Sequence, residues 1–214
     1  MGKLIIFDLD GTLIDSIEGW IKAFQQSFKS FGIKVSRKKL TELFGKSDID
    51  IVKALVKNPE KRERVLKYLY QLKKGDELLK EFRLHRNAKR VLKKLKEKGY
   101  IIALATGNRK DFCSKVLRHF GLTDFFDIIV TVDDVRKGKP EPEMLIKCLN
   151  QAKVGKDSAI YICDSLPDVL ASRKAGIKCF LVSWGALKGN CNLADAKLEK
   201  LSVREIEKKI KSLA

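Results

Sequence analysis

Two rhythms of apolar positions alternate along this 214-residue chain. One is the short, near-continuous apolar run: "KLIIFDL" from Lys3, "YIIALAT" at 100–106, "FDIIVTV" at 126–132, "SAIYICD" at 158–164 and "KCFLVS" at 178–183. A parallel strand covered on both faces has no polar side to show, so each run predicts a buried strand. The other is the helical spacing of three and four, carried by 87–98, 109–120, 141–152, 165–175 and 202–213. Gly99, Gly121 and Gly176 follow three of these segments, where a left-handed residue closes a helix. Strand and helix in alternation predict an α/β fold: a Rossmann-like parallel sheet of five or more strands, flanked by helices and joined by right-handed crossovers.

Residues 16–83 break the alternation. Ile17, Trp20, Ile21, Phe24, Phe28 and Phe31 trace one helical face, with Asp15 or Ser16 as the expected N-cap. Helical pattern continues over 37–44, 49–57 and 60–82, with Gly32, Gly45 and Pro59 as punctuation. The chain is therefore expected to form a core domain from 1–15 and 84–214, and a small all-helical domain, 16–83, inserted after the first strand.

Composition changes this picture little. With 44% hydrophobic and 34% charged residues the chain can build a core and is not of a disordered type. No apolar run reaches the roughly 20 residues that span a bilayer, and Met-Gly-Lys leads into a strand with no signal-peptide pattern. The five cysteines, odd in number and without CxxC spacing, read as reduced thiols, so a cytoplasmic protein is expected. The 45 Lys and Arg against 27 Asp and Glu give a formal charge of +18. These cations are spread along the chain without interleaved aromatics. They read as solvated helix faces that mildly steer an anionic substrate, with nucleic acid as the sharper alternative.

The chemistry gathers at strand ends, where an open parallel sheet forms its ligand crevice. The first strand ends in Asp8-Leu9-Asp10-Gly11-Thr12, the second in Thr106-Gly107-Asn108 and the fourth in Asp164-Ser165, while "KGKPEP" after the third carries Lys139, with Lys137 as its competitor. Carboxylates at the rim of an apolar strand are costly unless a cation compensates them. Asp8, Asp10 and Asp164 supply the hard oxygen donors that suit Mg2+. With a metal and Lys139 screening a phosphate dianion, a carboxylate can approach phosphorus. The Thr106 hydroxyl and the Gly107 N–H are the expected holders of phosphoryl oxygens. Lys46, in the link Gly45-Lys46-Ser47, is a candidate for an anionic group at the far end of the substrate. Asn108 and Arg109 are further candidates. His85 and His119 carry no relay pattern.

The series "DLDGT", "LATGN", "KGKPEP" and "CDSLPD", in that order and at strand ends, resembles the haloacid dehalogenase superfamily of phosphohydrolases, and 16–83 resembles its four-helix C1 cap. That resemblance implies Asp8 as a nucleophile forming an aspartyl-phosphate, and Asp10 as the general acid and base. It implies Mg2+ held by the Asp8 carboxylate, the Asp10 carbonyl and the Asp164 carboxylate. Asp168 is implied beside the ion without touching it, and Thr106 and Lys139 on the phosphate. An Asp at position 10 favours phosphate transfer over dehalogenation. The implied activity is a phosphatase on a small phosphorylated metabolite, phosphoglycolate-like or pyrophosphatase-like, acting as a monomer or homodimer. The alternatives are a sugar phosphomutase of the beta-phosphoglucomutase type and a nucleic-acid-binding or end-processing protein. Two positions depart from the family pattern: Cys163 stands where Gly is usual, and Gly107 separates Thr106 from Asn108.

Overall fold

The computed structural model describes residues 4–213. Residues 1–3 and 214, which the expected core domain and first strand include, lie outside them. The chain runs β1 (Leu4–Phe7), β2 (Ile14–Asp15), α1 (Ile17–Lys29), α2 (Arg37–Thr41), α3 (Asp48–Leu55), α4 (Pro59–Lys74), α5 (Glu77–Lys80) and β3 (Arg83–Leu84). It continues α6 (Ala88–Glu97), β4 (Ile101–Ala105), α7 (Lys110–Phe120), β5 (Ile128–Val130), α8 (Glu143–Ala152), β6 (Ala159–Cys163), α9 (Leu166–Ala175), β7 (Lys178–Val182), β8 (Ala196–Leu198) and α10 (Val203–Ser212).

Six strands form one parallel sheet in the order β5-β4-β1-β6-β7-β8. Alternation along β1 divides the core: Ile5 and Phe7 face α6, α7, α10 and the helical segment, whereas Leu4 and Ile6 face α8 and α9. Both faces are covered, which is why the strands read as unbroken apolar runs. Gly121 and Gly176 close α7 and α9 in the left-handed conformation, as the sequence pattern predicts.

Four local features differ from expectation. β8 was not foreseen, because "AKL" between Asp195 and Glu199 is too short and too charged to register as a strand; it is an edge strand paired on one side only. The expected helix over 60–82 is two helices, α4 and α5, broken at Gly75. Ile14–Asp15 and Arg83–Leu84 form an antiparallel ribbon through which the chain leaves for, and returns from, the helical segment. Ser16 stands at the N-terminus of α1, yet its hydroxyl caps nothing and is spent elsewhere.

The helical segment packs on the core through aromatic rings. Trp20 of α1 meets Phe82 at 5.6 Å and Phe112 of α7 at 5.4 Å between centroids. Beside them Lys115 of α7 donates to the carbonyls of Lys73, Lys74 and Gly75, at 3.3, 2.6 and 2.6 Å, completing the open C-terminus of α4. Because Phe112 is buried between both parts, Phe112→Ala is expected to cost about 3–5 kcal/mol, read as a lowered midpoint in urea denaturation.

Candidate active site

Asp8 continues the ladder of β1, its N–H donating to the Ile162 carbonyl at 2.9 Å, so its carboxylate stands at the rim of the sheet. The chain then turns tightly. The Leu9 carbonyl accepts from Leu13 and Ile14, both at 3.0 Å, and the Gly11 N–H donates to Ile14 O at 2.7 Å. Gly11 has φ +79°, and a Cβ there would lie 2.0 Å from Asp164 Oδ2. Gly185 approaches the same residue from the other side: a Cβ would lie 2.1 Å from Asp164 Cβ. Two glycines thus keep side chains away from one carboxylate, which accepts from the Ala186 N–H at 2.7 Å.

One carboxylate oxygen from each of Asp8, Asp164 and Asp168 lies within 4.8 Å of the other two. Lys139 reaches into this group with its whole side chain buried. Its Nζ is 2.7 Å from Asp8 Oδ1, 2.6 Å from Asp168 Oδ1 and 3.1 Å from the Tyr161 hydroxyl. Tyr161 in turn donates to Asp168 Oδ1 at 2.6 Å, and the Ser165 hydroxyl donates to Asp168 Oδ2. Asp168 is therefore committed to orienting Lys139. Lys137, its competitor in the sequence, is exposed outside this cluster.

Three carboxylates against one ammonium leave an excess of buried negative charge. Burial, opposed by Lys139 and reinforced by Asp168, pushes Asp8 up to about 8. Burial and the charges of Asp8 and Asp168 hold Asp164 well above the carboxylate range. For Lys139 burial acts downward, but Asp168 and Asp8 outweigh it and keep the ammonium charged. Burial raises the Tyr161 hydroxyl as well, so it stays a donor.

Asp10 is turned differently. Its Oδ1 accepts from the Ser16 hydroxyl and the Trp20 indole N–H, both at 2.6 Å, and its Oδ2 accepts from Asn108 Nδ2 at 2.5 Å. The Asn108 side chain, displaced by one position in the sequence motif, thus finds a partner. The Asn108 backbone N–H donates to Thr106 Oγ1 at 3.2 Å. Arg109 points away, 3.5 Å from Asp133. His85 lies against the Trp184 ring and His119 against Phe120, neither in contact with the carboxylates. Four of the five cysteines are buried and all are unpaired; Cys163 packs against Cys179.

A cleft of about 50 Å³ is floored by Asp8, Asp10, Thr106, Gly107, Lys139 and Asp164. Its roof is the helical segment: Trp20, Phe24, Phe44, Lys46, Asp48 and Ile51. The Lys46 carbonyl lies only 3.1 Å from where a Gly107 Cβ would stand, so a side chain at 107 would prop the roof open. Asp48 is joined to the buried Lys73, whose Nζ lies 4.5 Å from the Trp20 ring centroid and 4.7 Å from that of Phe112. Ser16, Trp20, Tyr161 and the Asp48–Lys73 pair were not foreseen as parts of a site. Trp20 sits on the apolar face of α1, where its spacing reads as core; the polar indole N–H was the available signal.

A parallel sheet with carboxylates and a buried lysine at its strand ends, roofed by an inserted helical segment, defines a class of hydrolases. The family model described as haloacid dehalogenase-like hydrolase matches residues 5–182, and the chain belongs to that family. Among curated relatives, pyrophosphatase PpaX of Halalkalibacterium halodurans is 33% identical over 188 residues, covering 86% of this chain and 85% of that protein. Pyrophosphatase PpaX of Listeria welshimeri is 33% identical over 211 residues, 94% of each chain. Among solved structures, a predicted phosphatase from Clostridium acetobutylicum superposes with TM-score 0.82 at 25% identity, and a hydrolase from Pseudomonas syringae with 0.84 at 22%, each pair covered to 99% on both sides.

Two outcomes are expected from the buried charges. Lys139→Met strands Asp8 and Asp168 without their cation and should cost about 3–5 kcal/mol of stability, measured by denaturant unfolding. Asp8 is raised from 3.8 to about 8, so between those values the folded state keeps a proton that the unfolded state has released. Its contribution to stability is full below pH 3.8 and is lost as pH rises through about 8. In metal-free buffer the melting temperature of Asp8→Asn, which cannot titrate, should therefore fall less over this range than that of the wild type.

Proposed function

We propose that this protein is a Mg2+-dependent phosphatase that hydrolyses a small phosphorylated molecule through an aspartyl-phosphate on Asp8. The observation that carries this reading is the group formed by Asp8, Asp164 and the buried Lys139 at the end of β1. The donor set fits a hard divalent cation: the oxygens are anionic and close together, and Gly11 and Gly185 leave space beside Asp164 that any side chain would fill. Asp8 and Asp164, with the Asp10 carbonyl, would hold the ion. Bound there, it would neutralise phosphate charge and draw the raised pKa values of its carboxylate ligands down.

The remaining roles belong to the chain. Lys139 pairs with one oxygen of Asp8 and adds positive charge where a phosphoryl group would lie, and Asp168 and Tyr161 hold it there. Asp8 attacks phosphorus and the leaving-group oxygen departs, taking a proton from Asp10. Asp10 then accepts a proton from the water that attacks the aspartyl-phosphate, releasing phosphate and restoring Asp8. Ser16, Trp20 and Asn108 fix Asp10 between them. Thr106 and Gly107 hold phosphoryl oxygens, and Lys46 meets the far end of the substrate. The helical segment acts as a cap that excludes bulk water when closed. The names of the curated relatives favour pyrophosphate as one substrate.

The test is phosphate release from pyrophosphate, phosphoglycolate, sugar phosphates and p-nitrophenyl phosphate, with Mg2+ and after chelation. Turnover should require the metal, and Asp8→Asn should abolish it; retained turnover in that variant would remove the proposed nucleophile. Asp10→Asn should slow ester hydrolysis by about 10²–10⁴-fold. The loss should be smaller for p-nitrophenyl phosphate, whose leaving group needs little protonation.

A further inference from the structure

Beside the active-site cleft, and sharing Lys46 and Lys139 with it, lies a second cleft of about 460 Å³. The helical segment supplies one wall through Lys46, Asp50 and Lys53, and the loop after β5 supplies the other through Arg136, Lys137 and Glu141. Its charges are unequally engaged. Asp50 accepts from the Ser47 hydroxyl at 2.7 Å, and Glu141 pairs with Lys174 at 2.7 Å, outside the cleft. Lys46, Lys53, Arg136 and Lys137 have no carboxylate within ion-pair distance among the described residues. Four uncommitted cations thus line the mouth of a site proposed to bind a phosphoryl group.

The lining also limits what these cations serve. It contains no aromatic ring on which a base could stack, and its two acidic side chains are partnered by Ser47 and Lys174. A lone carboxylate or one second phosphate is answered by Lys46, nearest the active-site cleft. Lys53, Arg136 and Lys137 extend the positive charge beyond that point, which calls for an anion with several charges in a row.

We propose that this cleft binds the remainder of a linear inorganic oligophosphate whose terminal phosphoryl group reaches Asp8, making tripolyphosphate a substrate. This rests on the phosphatase reading above. In the first step an Asp8 oxygen bonds to the terminal phosphorus while its bridging P–O bond breaks. Pyrophosphate leaves with the electron pair, seated among Lys53, Arg136 and Lys137. Water then cleaves the aspartyl-phosphate, so tripolyphosphate and water yield pyrophosphate and phosphate. The two walls belong to different parts of the chain, so the bound anion also bridges cap and core.

The test compares the Lys53→Gln/Arg136→Gln double variant with the wild type. Both positions are exposed, and a melting curve checks that the fold is kept. Calorimetric titration with tripolyphosphate at fixed free Mg2+, in the Asp8→Asn background to prevent turnover, should show affinity at least tenfold weaker in the double variant. The affinity of the parent should fall steeply with salt. In the active background, the ratio of kcat/KM for tripolyphosphate to that for p-nitrophenyl phosphate should drop by a similar factor. Equal affinities in the two proteins, or a wild type that hydrolyses p-nitrophenyl phosphate but not tripolyphosphate, would overturn the proposal. If no substrate is turned over, the phosphatase reading fails, and the titration alone still decides whether the cleft is an oligophosphate site.

Discussion

The ion-paired group of Asp8, Lys139 and Asp168 is the constraint around which the molecule is arranged. A charge removed from water must be met by opposite charge and by hydrogen bonds, or it loses its ionisation. Lys139 meets two carboxylates at once, Tyr161 and Ser165 complete Asp168, and the uncompensated burial is expressed in the raised pKa values of Asp8 and Asp164. The parallel sheet gives this group its position. β1 and β6 are neighbours, so Asp8 and Asp164, which follow them, emerge side by side at one end. The loop after β5 brings Lys139 across from the face of α8.

The helical segment serves the same centre in another way. Its aromatic side chains cover the carboxylates, and its backbone at Gly45-Lys46 closes over Gly107. Trp20 contributes to both packing and polarity: its ring packs on Phe82 and Phe112, and its N–H holds Asp10. One side chain therefore links the order of the hydrophobic junction to the orientation of the proposed acid. The Lys73 ammonium lies over the same ring and couples it to Asp48 on the cleft wall.

Much of this was legible in the residues. Unbroken apolar runs marked five strands of the sheet, glycines marked helix ends, and acidic residues at strand termini marked the rim, because each of these is local chemistry with a fixed spacing. Asp8, Asp164 and Lys139 stood out as charges where apolar neighbours made them expensive. What escaped depends on tertiary partners. β8 is held by β7 more than by its own residues. The break at Gly75 and the ribbon of β2 and β3 depend on how the chain returns to the core. The hydroxyl of Ser16, one of two N-cap candidates with Asp15, instead bonds Asp10 across a tight turn, a distance absent from the one-dimensional pattern. Tyr161 has the pattern of an ordinary strand residue, and only the fold brings Asp168 and Lys139 against its hydroxyl.

The ribbon of β2 and β3 has a bearing on how such a molecule can change over generations. Exit and re-entry of the inserted helices are hydrogen-bonded neighbours, Ile14 opposite Leu84 and Asp15 opposite Arg83, about one strand spacing, ~4.8 Å, apart. The gap that any inserted sequence must span is thereby fixed by the scaffold. Lengthening, shortening or exchanging the intervening helices leaves strand register and the carboxylate cluster in place. The roof of the cleft is therefore free to diverge while Asp8, Asp164 and Lys139 keep their places.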